Sequence, residues 1–149
     1  LISRAPGRTV VIEFDPRLPF TDPNVHAPHV RLAEAVAEKQ ITTTAYVIAP
    51  TTWTHNEEAI LQSVRSAPRV IVATRNAWRD DHQRNAMVTI AANTHDLTVV
   101  ALRDPHDSAI VPGARNIISY ADDPSSIRAV TAWLLDGAPA PGTLPVTLS

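Results

Sequence analysis

Cysteine is absent from this 149-residue chain, which excludes structural disulfides and cysteine-ligated zinc and leaves the redox compartment open. The other metal-ligating types form no three-ligand pattern. His26 and His29 flank Pro28 with Asp22 nearby, but no HExxH spacing occurs, so solvated loop histidines account for them and no metal is expected. Glycine is scarce as well. Gly7, Gly113, Gly137 and Gly142 are too scattered to cradle a phosphate, and no P-loop, G-x-G-x-x-G or G-x-S-x-G motif occurs, which disfavours nucleotide binding and a serine nucleophile. Lysine occurs once, at Lys39, against twelve arginines. The net charge of -2 argues against a general nucleic-acid binder, which needs a basic stripe to displace counterions from phosphates. No apolar run approaches the ~18 residues of a membrane span. The opening LISRAPGRTVVIEF has neither a signal-peptide core nor an initiating methionine, so the chain is expected to be a piece of a longer polypeptide. Compartment is not fixed by these features, with a bacterial secreted or envelope location slightly favoured over the cytoplasm.

Hydrophobic content of 44% with 19% charged residues describes a globule, and the length suits one domain spanning residues 1–149 with a core of its own. Short runs rich in β-branched residues recur at Thr9 to Phe14, Thr42 to Ile48, Val70 to Thr74, Leu97 to Leu102 and Asn116 to Tyr120. VVIEF, VIVAT and LTVVAL are apolar nearly throughout, as in central parallel strands covered on both faces, whereas ITTTAYVIA alternates and reads as an edge strand. Helical spacing lies between the runs. Leu32 and Val36, with Ala35, mark a helix over His29 to Lys39; Asn56 is expected to cap one with Ile60, Leu61, Val64 and Ala67 inward. Asp80 or Asp81 starts one carrying Met87, Ile90 and Ala91, and Asp123-Pro124 opens one carrying Ile127, Val130 and Leu134. Alternating strands and helices predict a three-layer α/β sandwich with a mostly parallel central sheet in a flavodoxin-like arrangement. The stretch DPRLPFTDPN is a loop, and the tail APAPGTLPVTLS is extended, with an antiparallel edge strand at the C-terminus as one option.

Four segments then appear in a fixed order: LTVVALRDPHD, NIISYADDPSS, AVTAWLLDG and GTLPV, preceded by VIVATRNAW and DDHQRNAMV. From about Arg69 onward the chain resembles the C-terminal domain of family 3 glycoside hydrolases, in the branch acting on N-acetylglucosaminides, where an apolar strand runs into Arg-x-Pro-Tyr-Asp. His106 stands where that pattern has Tyr, within an otherwise matching Arg103, Pro105, Asp107 frame. The resemblance implies a fold of the kind predicted above and a partner, an N-terminal (β/α)8 barrel carrying the nucleophilic Asp and the acid/base His. Neither residue transfers to a position here, so no catalytic residue is assigned. No cofactor is implied.

A retaining glycosidase needs two carboxyl groups about 5–5.5 Å apart across the scissile bond. Glu57 and Glu58 are neighbours on a helix and diverge around its axis, and favouring the helix dipole is their simpler role; because some β-glucosidases of the resembled family take the acid/base carboxylate from this domain, the resemblance leaves Glu57 or Glu58 as the least poor guess for such a contributor. Ligands of open α/β sheets gather at the carboxyl ends of strands. That rule selects Asp15, Arg17, Trp53, Arg75, Asn76, Trp78, Arg103 and Asp107; the candidates for substrate or domain-interface contact are Arg75, Asn76, Trp78, Arg103, Asp107 and Trp53. Arginine can bind a carboxylate bidentately and tryptophan can offer a face to a sugar. Against this stands a local reading, in which Arg103 pairs with Asp107 and the tryptophans pack inside. Two other functions fit the scaffold: a free-standing carbohydrate- or protein-binding module, and a regulatory domain with a phosphorylatable acidic pocket at Asp15.

Overall fold

The computed structural model describes residues 8–16, 31–40, 42–119 and 121–136. Five parallel strands, β1 (Thr9–Phe14), β2 (Thr43–Ile48), β3 (Arg69–Thr74), β4 (Leu97–Ala101) and β5 (Arg115–Ile118), form one sheet in the order β2-β1-β3-β4-β5. The three runs read as continuously apolar are the three inner strands, because only a strand covered on both faces excludes water from successive residues. The alternating run is edge strand β2, whose residues are mostly half-buried. Register is in phase across the sheet: Val11 faces Ala45 on one side and Ile71 on the other.

The helices α1 (Leu32–Lys39), α2 (Trp53–Ser66), α3 (Asp81–Ala91) and α4 (Pro124–Asp136) divide between the two faces. Val10, Ile12, Phe14, Val70, Val72 and Val99 pack with Ile60, Leu61 and Val64 of α2 and Met87 and Ile90 of α3. The alternate residues Val11, Ile71, Ala73 and Val100 pack with Leu32 and Val36 of α1 and Ile127, Val130 and Leu134 of α4. Strand periodicity thus sends successive side chains into two separate cores, which is the three-layer sandwich.

Helix starts depart from the sequence reading at two places: α1 begins at Leu32 rather than His29, since Arg31 is extended, and α2 begins before its expected cap. Asn56 does not cap α2: the helix begins three residues earlier at Trp53, after a 3-10 turn at Pro50–Thr52, and the Asn56 amide donates back to the Thr52 carbonyl at 2.9 Å. Glu57 and Glu58 therefore lie beyond the first turn, where the helix dipole favours acids little. Asp80 does cap α3, accepting from the His82 N–H at 3.0 Å. Asp80→Ala is expected to lower stability by about 1 kcal/mol, read as a shifted urea midpoint at unchanged slope. The Pro-rich loop beyond Pro16, Tyr120 and the tail with its candidate edge strand lie outside the described residues, as do Arg17, Asp22, His26 and His29.

Candidate functional site

All five strands are parallel, so their carboxyl ends share one edge of the sheet, and the strand order reverses between β1 and β3. In such sheets that reversal opens a crevice, the usual place for a ligand. Here a side chain spans it. Arg75, the first residue past β3, is wholly buried. Its guanidinium reaches β1, donating to Glu13 at 2.7 Å and to the Phe14 carbonyl at 2.9 Å, and its Nε donates to Asp122, between β5 and α4, at 2.8 Å. One cation thereby ties together the ends of three strands.

Each neighbour is in turn committed. Glu13 is buried within β1, and its second oxygen accepts from the Ala33 N–H at 2.8 Å, in the first turn of α1, where Arg31 supplies no side-chain cap. The Glu13 carboxylate does the capping from across the layer boundary. The main chain of Arg75 is clamped by Gln83, whose amide accepts from its N–H at 3.1 Å and donates to its carbonyl at 2.8 Å. Next to it, Asn76 is exposed with φ 57, a left-handed conformation that asparagine tolerates better than most residues. The turn sends the chain into the short 3-10 helix Ala77–Arg79 and presents Trp78 beside the loop that follows β4.

Asp107 is buried and accepts from the Thr74 hydroxyl at 2.7 Å and the Trp78 N–H at 3.0 Å. It ties the β4 loop to the end of β3. Arg103 does not pair with it; the Arg103 Nε donates to Asp122 at 3.3 Å, so the expectation of a local Arg103–Asp107 pair is corrected. Asp107 spends its oxygens on the two donors of the β3 turn, leaving Arg103 to the β5 loop.

Two of the three tryptophans, Trp53 and Trp78, are in contact with neighbouring side chains. Trp53 is 5% exposed and packs edge-on against Phe14, with ring centres 6.1 Å apart. Trp78 carries the Arg79 guanidinium over its ring at 4.3 Å and the His106 ring at 5.2 Å. Cation–π and ring contacts thus take up surface that a sugar would need. His106 is held by Asp104, whose carboxylate accepts from its backbone and ring nitrogens. Partial desolvation opposes ionisation of Asp104, but the His106 bonds and the Trp78 side chain outweigh it and hold the carboxyl below its ordinary value.

The structure thus brings Arg75, Asn76, Trp78, Arg103 and Asp107 to one edge, while Trp53 belongs to the core beneath α2. Glu58 lies apart on α2, paired with Arg65 at 3.5 Å and largely exposed. Glu13, Gln83 and Asp122 are central to the site yet were not among the sequence candidates. Glu13 had a signal, as the one charge inside an otherwise apolar run, since a buried carboxylate demands a partner. Asp122 and Gln83 had none. Asp15, just past β1, is buried and ion-paired to Arg31 at 3.4 Å. Among the described residues no group of three or more His, Asp or Glu could hold a metal ion, and no helix is long and apolar enough to cross a membrane.

These features define a doubly wound α/β domain of flavodoxin-like strand order with an internally neutralised carboxyl edge. No family model and no curated protein matches the sequence. Solved structures do share its fold. A fungal multi-domain family 3 β-N-acetylglucosaminidase, described as having a GCN5-related glucosamine N-acetyltransferase region, aligns over 99% of this chain with a TM-score of 0.74 and 16% identity. A family 3 β-N-acetylglucosaminidase from Paenibacillus sp. str. FPU-7 aligns over 96%, with a TM-score of 0.74 and 21% identity. The chain spans 16% and 28% of the lengths of those two proteins.

Proposed function

We propose that this chain is the non-catalytic C-terminal domain of a family 3 glycoside hydrolase, of the β-N-acetylhexosaminidase branch, and that it serves as a rigid support packed against a (β/α)8 catalytic barrel. The parent enzyme would release terminal N-acetylglucosamine from cell-wall or chitin-derived saccharides through a covalent glycosyl-enzyme intermediate, with the nucleophile and the acid/base on the barrel. One observation carries the supporting role: at the edge where this fold takes ligands, the acids are engaged internally and Arg75 fills the crevice. Both oxygens of the Glu13 carboxylate are taken by buried donors, the Ala33 N–H and the Arg75 guanidinium, so its lone pairs are engaged and it is a poor nucleophile.

The alternative, a free-standing sugar-binding module, loses its main support once Trp53 is in the core and Trp78 is covered by Arg79 and His106. The 149-residue chain alone is expected to show no turnover of a chromogenic N-acetylglucosaminide. Hydrolysis that persists through rigorous purification and is abolished by Glu13→Gln would overturn the proposal.

A further inference from the structure

Three arginines stand just beyond the ends of β3 and β4, and they are not equivalent. Arg75 spends every guanidinium nitrogen on internal acceptors. Arg79 lies over the Trp78 ring. Arg103 is held only through its Nε, by Asp122, with its side chain 40% exposed, and among the described residues its two terminal amino groups have no partner. An exposed arginine ordinarily samples many rotamers and loses that freedom when it binds. Here the carboxylate that accepts from its Nε is itself fixed by a fully buried cation, which narrows the directions the guanidinium can take before any contact.

A chain of ionic hydrogen bonds from Glu13 through Arg75 and Asp122 to Arg103 is an inefficient way to stabilise a domain, because desolvating charges offsets most of their attraction. It is an efficient way to aim a guanidinium. We propose that Arg103 is the contact through which this domain takes a carboxylate side chain of the adjoining domain, with Asp122 and Arg75 as its positioning residues. This deepens the docking role proposed above and rests on it. The chemistry selects the partner: two adjacent guanidinium amino groups match a carboxylate bidentately and repel a cationic surface. The nearest acid in sequence, Asp104, is engaged with His106 and does not take that place. The net charge of -2 argues against a nucleic-acid phosphate as the occupant.

Arginine labelling by phenylglyoxal, read peptide by peptide in a mass spectrometer, tests this on the 149-residue chain and on the polypeptide encoded by its complete reading frame. Arg75, fully buried, reports on the fold by staying unreactive, and Arg65 on α2 and Arg128 on α4, both exposed, are the reactive references. Arg103 should react readily in the short chain and several-fold more slowly in the long one, while Arg65 and Arg128 react alike in both. Asp122→Asn in the long polypeptide should restore reactivity at Arg103 without changing Arg128, and Asp122→Glu should preserve protection. Unprotected Arg103 with protection at Arg65 or Arg115 overturns the inference and leaves docking standing. Equal labelling of every arginine in both forms, or a reading frame that adds no further domain, overturns the docking role as well. Protection of Arg103 that survives Asp122→Asn overturns the positioning role.

Discussion

Arg75→Met is expected to lower the unfolding free energy of the chain by about 3–5 kcal/mol, because it leaves Glu13 buried and charged without its cation. The loss is a large share of the ~5–15 kcal/mol that holds an ordinary domain folded. The Phe14 carbonyl also loses a donor, whereas Asp122 is partly exposed and can turn to water. The double variant Arg75→Met, Glu13→Gln should recover part of the loss, since glutamine can still accept from the Ala33 N–H but carries no charge. The two changes are in contact, so a coupling of about 0.5–3 kcal/mol is expected between them. Urea denaturation of the four forms gives the cycle. A loss below about 1 kcal/mol for the single variant would mean that Glu13 is compensated by something other than Arg75.

Asp107→Ala is expected to cost about 2–4 kcal/mol, since hydrogen bonds to a charged group contribute about 1.5–3 kcal/mol each and two donors, the Thr74 hydroxyl and the Trp78 N–H, would be stranded. Asp107→Asn should fall between wild type and alanine, because its amide keeps one acceptor oxygen and turns an NH2 toward the other donor. The change should also loosen Trp78, so its fluorescence should shift at denaturant concentrations below the global transition. The charge swap Arg103→Asp with Asp107→Arg should be no more stable than its worse member. Recovery of wild-type stability in the swap would restore the local pair that the geometry denies.

Which parts of this arrangement the sequence discloses depends on whether the signal is local. Strand β1 was legible to the residue, and the inner positions of β1, β3 and β4 followed from uninterrupted apolar runs. The start of α3 was legible to within one residue, Asp80 or Asp81, because both polar side chains stand just before its apolar spacing begins, and the structure assigns the cap to Asp80. The start of α2 was not, because two polar residues could stand at the cap, and the more conspicuous Asn56 drew the boundary inward from Thr52, whose hydroxyl turns back to the Ala49 carbonyl instead of capping. Arg75, Asn76, Trp78, Arg103 and Asp107 could be named because each lies just beyond a strand that could be located.

Pairing is another matter. Arg75 and Glu13 are 62 positions apart in sequence, and Arg75 and Asp122 are 47 apart. No periodicity joins them, and a count of charges matches any arginine with any acid. The sequence by itself determined the layers, since the side-chain period of a strand and the spacing of a helix decide which residues must leave water. Only the tertiary structure decided that Arg103 turns to Asp122 rather than Asp107, and that Arg75 closes the crevice between β1 and β3. Those choices depend on which strand ends become neighbours once the sheet has formed, because a buried charge takes the partner that geometry brings within hydrogen-bonding distance.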